Sequence, residues 1–429
     1  MTNSHEDTAQ NKLDATPDDL LAAHRERGDS GFETGRVIAT FKTGAFDHGV
    51  HALRNAGCRV ADARDFTGQA VAAADLTQAD ALVLPMVGAA VLTGTAQGHA
   101  LQVEDEQGSP IAVSEPERFA FATRGLEDTY AEYFRGFAHA AETIAQHVQA
   151  TTSEVVEEQA QVLGVTWGLL SCQVPQSAQT GGGVSLAVLD TGLDLGHPDF
   201  AGRQVTSETF VGQPVQDLHS HGTHCTGTAC GPLDPPGGTS RYGIAHQAAL
   251  FPGKVLSNSG NGTTGAILAG INWAIANHCE VISMSLGVRS SVQAAYSAAG
   301  AAALNNGLLI VAAAGNDGAQ TGAPANSTTI MSVSSLDPTT LAPSSFSNFG
   351  KVDVAAPGRD VFSSVPMPRR YGTESGTSMA APHVAGCAAL WAQTSPSLRG
   401  LDLWRKLGNT AKPLPLPASR VGAGLVQAP

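Results

Sequence analysis

The chain has 429 residues, 42% of them hydrophobic but only 14% charged, with 48 Gly, against about 25% charged and about 7% Gly in an average soluble chain. Its net charge of −14, with no block of Lys or Arg, repels phosphate backbones and excludes nucleic acid as a partner. No run of about 18 apolar residues occurs, which excludes a membrane-spanning helix and a membrane partner, and six Cys without a CxxC pair exclude a disulfide scaffold and weaken any structural zinc site.

Residues 1–35 are polar and carry Pro17 with several Asp and Gly, so they read as a disordered or loosely helical leader. From Arg36 the pattern changes. RVIATF reads as a strand, FDHGVHALRNAG as a short amphipathic helix, and CRVADARDF, ALVLPMVGAAVL and RFAFA as further strands. Together, 36–122 predict a small α+β unit. Segment 123–164 differs, because Leu126, Tyr130, Tyr133, Phe134, Phe137, Ala141, Ile144, Ala145 and Val148 recur at helical spacing and predict a helical connector. From 165 to 429 short apolar runs, VSLAVLD, ALFPGKVL, VISMSL and LLIVAAAG, alternate with helical stretches at Thr263–Asn277 and Val292–Asn305. That alternation predicts an α/β fold, a parallel sheet with helices on both faces, whose sites form at the carboxyl ends of its strands.

Four polar clusters stand at such positions. Asp190 leaves VSLAVLD; taken alone, it caps the following turn as readily as it serves chemistry. HSHGTHC brings His219, His221 and His224, and taken alone it is a helix start with a half-buried His. Asn316 follows LLIVAAAG and serves equally as a turn residue or an amide donor. In SGTSMAAPHVAG, Ser378 opens a helix in which Pro382 cannot donate to the Ser378 carbonyl. A broken local rule in a regular stretch marks a candidate site.

The order Asp190, His221, Asn316, Ser378 is that of subtilisins. The chain resembles the subtilase family of serine peptidases from about Trp167 to its end, through WGL, DTGLDLGHPDF, HGTHC, INWAIAN, ISMSLG, AAAGN, GTSMAAPHVAG and RVGAGLVQA. Cys225, directly after HGTH, is similar to the proteinase-K-like branch. The resemblance implies a serine endopeptidase with Ser378 as nucleophile, His221 as base, Asp190 as its orienting carboxylate and Asn316 in the oxyanion hole. It implies that Asn261-Gly262 and Ser285-Leu286-Gly287 pair with an extended peptide. Ala313, Ala314, Gly315 and Gly322 then wall an open pocket, with Asp317 at its rim, Val288 narrowing its mouth and Glu374 on the leaving-group side. His224 is left to packing.

Segment 36–122 resembles the family's propeptide, which implies a folding template and tethered inhibitor cut away by the enzyme itself within about 122–165. Its partners are therefore peptide or protein substrates and its own propeptide. No cofactor is required for catalysis and no metal ligand is assigned, although Asp199 in HPDF occupies a position that implies a structural calcium in relatives. Three other readings remain beside this one. They are a catalytically dead scaffold, a metal site on His219, His221, His224 and Cys225, and a peptidase dedicated to trimming leaders from peptide precursors. The N-terminus, without a cationic or apolar start, and the dilute Cys favour a cytoplasmic setting over secretion by a route the sequence does not show.

Overall fold

The computed structural model describes residues 12–27, 32–71, 73–93, 96, 108–122 and 164–429; most of the expected connector lies outside them. Helix α1 (Pro17–Arg27) comes first; of the two expectations for that stretch, a disordered or a loosely helical leader, the disordered one is corrected. Pro17 at the first helical position has its φ preset, and Thr16 and Asp19 form a reciprocal cap: Asp19 N donates to Thr16 Oγ1 at 3.2 Å and Thr16 Oγ1 donates to Asp19 Oδ2 at 2.6 Å.

Next come β1 (Glu33–Phe41), α2 (Phe46–Asn55), β2 (Val60–Asp62), β3 (Ala81–Leu84), β4 (Ala89–Leu92) and β5 (Ile111–Ala122). They form a mostly antiparallel sheet in the order β5-β1-β4-β3-β2. ALVLPMVGAAVL, expected as one strand, is instead a hairpin, since Pro85 cannot continue the ladder and Gly88 turns at φ +66. CRVADARDF keeps only three residues of strand before a tight turn in which Arg64 N donates to Asp62 Oδ1 at 3.0 Å. RFAFA is the end of a much longer strand.

The larger unit is built on seven parallel strands, ordered β14 (Val354–Pro357), β13 (Met331–Leu336), β12 (Leu309–Ala313), β10 (Val281–Met284), β6 (Ser185–Asp190), β8 (Ala249–Lys254) and β7 (Glu208–Thr209). Side chains alternate between two covered faces, which is why β10 and β12 are apolar or small throughout and β6 is so until Asp190 at its end. Leu186 and Val188 of β6 face one core with α3 (His221–Cys230) and the helix Thr377–Thr394, while Ala187 and Leu189 face the other with helices Thr264–Ala276 and Ala294–Asn305. The α/β architecture expected from the apolar runs is thus the one observed.

The two units share a seam. The end of β5 runs antiparallel between β9 (Asn261–Thr263) and β11 (Leu286–Gly287), with Ala120 opposite Gly262, Phe121 opposite Asn261 and Gly287, and Ala122 opposite Leu286. Two carboxylates of β5 cap helices of the larger unit. Glu115 accepts from Ala294 N and Ala295 N at 3.0 and 2.7 Å, and Glu117 accepts from Gly265 N at 2.9 Å, satisfying amides that a helix start leaves open. Glu117, fully buried, is also paired with Arg36 at 2.6 Å.

Candidate active site

Asp190 ends β6 and His221 starts α3, the two brought together across the strand ends. Asp190 Oδ1 lies 2.8 Å from His221 Nδ1 and accepts from Thr191 N at 2.7 Å, so the carboxylate is fixed before it meets the imidazole. Both side chains are buried. His221 Nε2 is buried without a hydrogen-bond partner among the described residues, which leaves the nitrogen opposite the carboxylate as the one able to take a proton. Burial alone pushes the imidazole pKa down, but the Asp190 charge and its hydrogen bond override that and hold it well above the ordinary value.

The start of α3 is held by a residue the sequence reading did not single out. Ser220 sits at φ +86, a conformation that costs a non-glycine residue about 1–3 kcal/mol. Asp217 secures it, accepting from His219 N, Ser220 N, Thr223 N, Thr223 Oγ1 and Thr191 Oγ1 at 2.7 to 3.1 Å. Asp217 stands three residues ahead of the capping position, Ser220, so no local capping pattern marks it in the sequence.

Ser378 is the second residue of α4 (Thr377–Thr394), which keeps Pro382 in its interior. The carbonyl that Pro382 deprives of a donor accepts instead from Ser285 Oγ at 2.7 Å and Cys225 Sγ at 3.4 Å. Ser378 Oγ donates to Ser285 O at 3.3 Å. Ser285 and Ser378 thus hold each other in register. Cys225 lies 4.0 Å from His221 Nδ1, and burial pushes its thiol up to about 11, so it stays protonated at neutral pH. Asp190, His221 and Cys225 are the one group among the described residues whose donor atoms lie close enough to hold an ion. His219 is not in that group, and His224 turns away to the Val361 carbonyl at 2.9 Å.

Asn316 follows β12, and its Oδ1 accepts from Thr377 N and Thr377 Oγ1, both at 2.9 Å. That directs the Nδ2 donors away from Thr377. Thr377 Oγ1 also accepts from Gly315 N at 3.1 Å, tying the loop to the residue just before Ser378. Asn348 organises the same loop: its Oδ1 accepts from Asp317 N and Ala319 N, and its Nδ2 donates to Ala314 O and Gln320 O at 2.9 to 3.2 Å. Gly315, at φ +110, is required there, because a Cβ would lie 2.3 Å from Asn348 Nδ2. Thr377 and Asn348 escaped the sequence reading because nothing local to them signals what they reach.

A cleft of about 680 Å³ opens past Phe121 and Ala122, lined by Ala313, Ala314, Gly315, Asn316, Gly322, Gly287 and Val288. Gly322 must be Gly, since a Cβ would meet the Val288 carbonyl at 2.5 Å. Asp317 and Arg289, the latter not anticipated, lie at its exposed rim. Glu374 accepts from Ser220 Oγ at 3.1 Å. Asp199 is not arranged as an ion ligand: its carboxylate accepts from Tyr242 Oη at 2.5 Å and Tyr371 Oη at 3.1 Å, with Arg370 at 3.6 Å. Calcium needs a shell of oxygens with lone pairs facing it, and the hydroxyl and guanidinium donors around Asp199 do not fit that need.

Comparison with known proteins identifies the family and the fold. Residues 181–424 match the model of the Subtilase family. The chain is 39% identical over 284 residues to the alkaline protease of Alkalihalobacillus alcalophilus, covering 64% of this chain and 72% of that protein. It is 40% identical over 271 residues to subtilisin Savinase of Lederbergia lenta, covering 62% and 97%. The crystal structure of a cold adapted subtilisin-like serine proteinase overlays with a TM-score of 0.55 at 33% identity, covering 62% of this chain and 98% of that one. The family model spans more than half of the chain, the relatives and the solved structure are subtilisin-like proteases, and the chain belongs to the subtilase family as a subtilisin-like serine endopeptidase.

Proposed function

We propose that the protein is a self-processing zymogen whose catalytic groups are Asp190, His221 and Ser378. Ser378 Oγ attacks the scissile carbonyl and passes its proton to His221 Nε2, while Asp190 fixes the tautomer and stabilises the imidazolium. The Asn316 amide and the Ser378 N–H receive the oxyanion. His221 then protonates the leaving amine, and water hydrolyses the acyl-enzyme by the reverse route. Peptide substrates pair with Asn261-Gly262 and Ser285-Leu286-Gly287 and set one side chain between Ala313, Ala314, Gly315 and Gly322.

The register of β5 carries this reading. Its last residues add a strand to both peptide-pairing segments, and Ala122 N donates to the Gly260 carbonyl at 2.8 Å, so 36–122 occupies the cleft as a substrate would. The antiparallel register pairs Ala122 with Leu286. Leu286 is preceded by Ser285, whose carbonyl is 3.3 Å from Ser378 Oγ, so the described part of β5 ends beside the candidate nucleophile. The proposed cut is the bond just past this strand, Thr123–Arg124: the Ser378 Oγ–carbon bond forms, the bond to the Arg124 nitrogen breaks, and that nitrogen takes the proton from His221. Intact-mass analysis of the purified chain tests this. The expected result is a new N-terminus at Arg124 and an uncut Ser378→Ala chain; a Ser378→Ala chain that still cuts itself would overturn the assignment.

A further inference from the structure

Helix α1 has no counterpart in the reading of 36–122 as inhibitor, yet it is docked on the peptidase unit. Its cap uses Thr16 and Asp19 and leaves Asp18 to point elsewhere. Asp18 Oδ1 accepts from Ser257 Oγ at 2.9 Å and Asn261 Nδ2 at 2.8 Å, and its Oδ2 accepts from Gln213 Nε2 at 2.9 Å. The three donors come from two separate segments: Gln213 from the loop after β7, Ser257 from the turn joining β8 to β9 and Asn261 from the start of β9. They are organised among themselves: Gln213 Oε1 accepts from Asn258 N at 2.8 Å, and Ser257 N donates to Asn261 O at 2.7 Å. Ser257 and Asn261 are buried. Apolar contacts flank the carboxylate. Leu13 packs in the core that contains Val71, Leu76 and Phe210, and the His24 ring stands edge-on to Phe119 of β5 at 5.7 Å.

We propose that Gln213, Ser257 and Asn261 form a carboxylate-binding exosite on the peptidase unit whose ligand is Asp18, making residues 12–27 a second latch of the prosegment. The inference rests on the zymogen reading. Asn261 is held by Asp18 through its side chain and by Phe121 through its backbone register, so the latch and the inhibitory strand grip the same three-residue strand. Two linked attachments raise the effective concentration of each. Cutting after Thr123 would then leave the prosegment bound by both, and activity would wait for its release. The charge matters because hydrogen bonds to an ionised acceptor are stronger than neutral ones.

The test uses the full chain and follows two clocks, the cut by intact mass and the appearance of turnover on a peptide substrate. Asp18→Ala and Gln213→Ala are each expected to leave the cutting rate unchanged and shorten the lag between cut and activity about 10-fold, with the double variant no faster than either. Released enzyme carrying Gln213→Ala is expected to match wild type in kcat/KM. A lag that both single variants leave at the wild-type length overturns the latch while the zymogen reading stands, as does a double variant in which the two effects multiply. Wild-type chain that shows no lag at all overturns the zymogen reading and the latch with it. Should Asp18→Ala not fold, Gln213→Ala alone decides.

Discussion

Ser285 Oγ donates to the Ser378 carbonyl at 2.7 Å, replacing the helical bond that Pro382 cannot make. The candidate nucleophile is therefore positioned by a neighbouring strand end as well as by its own helix. Ser285→Ala leaves that buried carbonyl with only the weaker Cys225 thiol, a loss of about 1–3 kcal/mol. We expect kcat to fall about 10-fold with KM nearly unchanged. Adding Pro382→Ala restores an amide donor, so the double variant should recover part of the loss. Steady-state kinetics on the released enzyme measures both.

Asn316→Ala should keep the fold and lose about 2.7–4 kcal/mol of transition-state stabilisation, the range for one oxyanion donor. Thr377→Val removes the hydroxyl bonds to Asn316 and Gly315 without removing the amide itself. It should cost about 10-fold in kcat. Equal kcat in Thr377→Val and wild type would show that the Thr377 N–H is sufficient to aim the amide.

The pH profile of kcat/KM should place its acid limb above about 6.5, the ordinary histidine value. Only neutral His221 can take the Ser378 proton, and burial, which lowers its pKa, is outweighed by Asp190, which raises it. Activity therefore falls as pH drops through a raised value. Asp190→Asn removes the charge and should shift the limb to lower pH while also cutting the rate. A limb that does not move would detach Asp190 from His221.

His383 reports on stability instead. Burial lowers its pKa to about 4, although its Nδ1 faces the Met379 carbonyl at 2.7 Å. Unfolded, the ring titrates near 6.5, so between those values the unfolded chain binds more protons and the folded state loses ground. The stabilisation is complete above about pH 6.5 and declines as pH falls toward 4. Thermal unfolding of Ser378→Ala chain should show a midpoint dropping across that window, and His383→Asn should flatten this part of the dependence.

Sequence alone determined what rests on near neighbours. The runs LAVL (186–189) and LLIVAAAG are apolar at every position because both faces of a central parallel strand are covered, and that pattern needs no partner to be read. The break at Pro382 was visible four residues from Ser378. Even the corrected leader carried its signal, because Thr16-Pro17 with Asp19 is a helix start that the polar composition obscured. The hairpin hidden in ALVLPMVGAAVL was likewise marked by Pro85 and Gly88.

Tertiary structure decided what rests on distant pairs. Asp18 finds Asn261 across 243 residues, Glu117 finds the Gly265 amide across 148, and Thr377 aims Asn316 across 61. Asp, Glu and Thr are ordinary surface residues until a fold removes water from around them and supplies a donor. A buried carboxylate must be paired to be tolerated, but its own neighbours in the chain do not say which amide or side chain will meet that need. Only the crossing of strands and helices sets the partner.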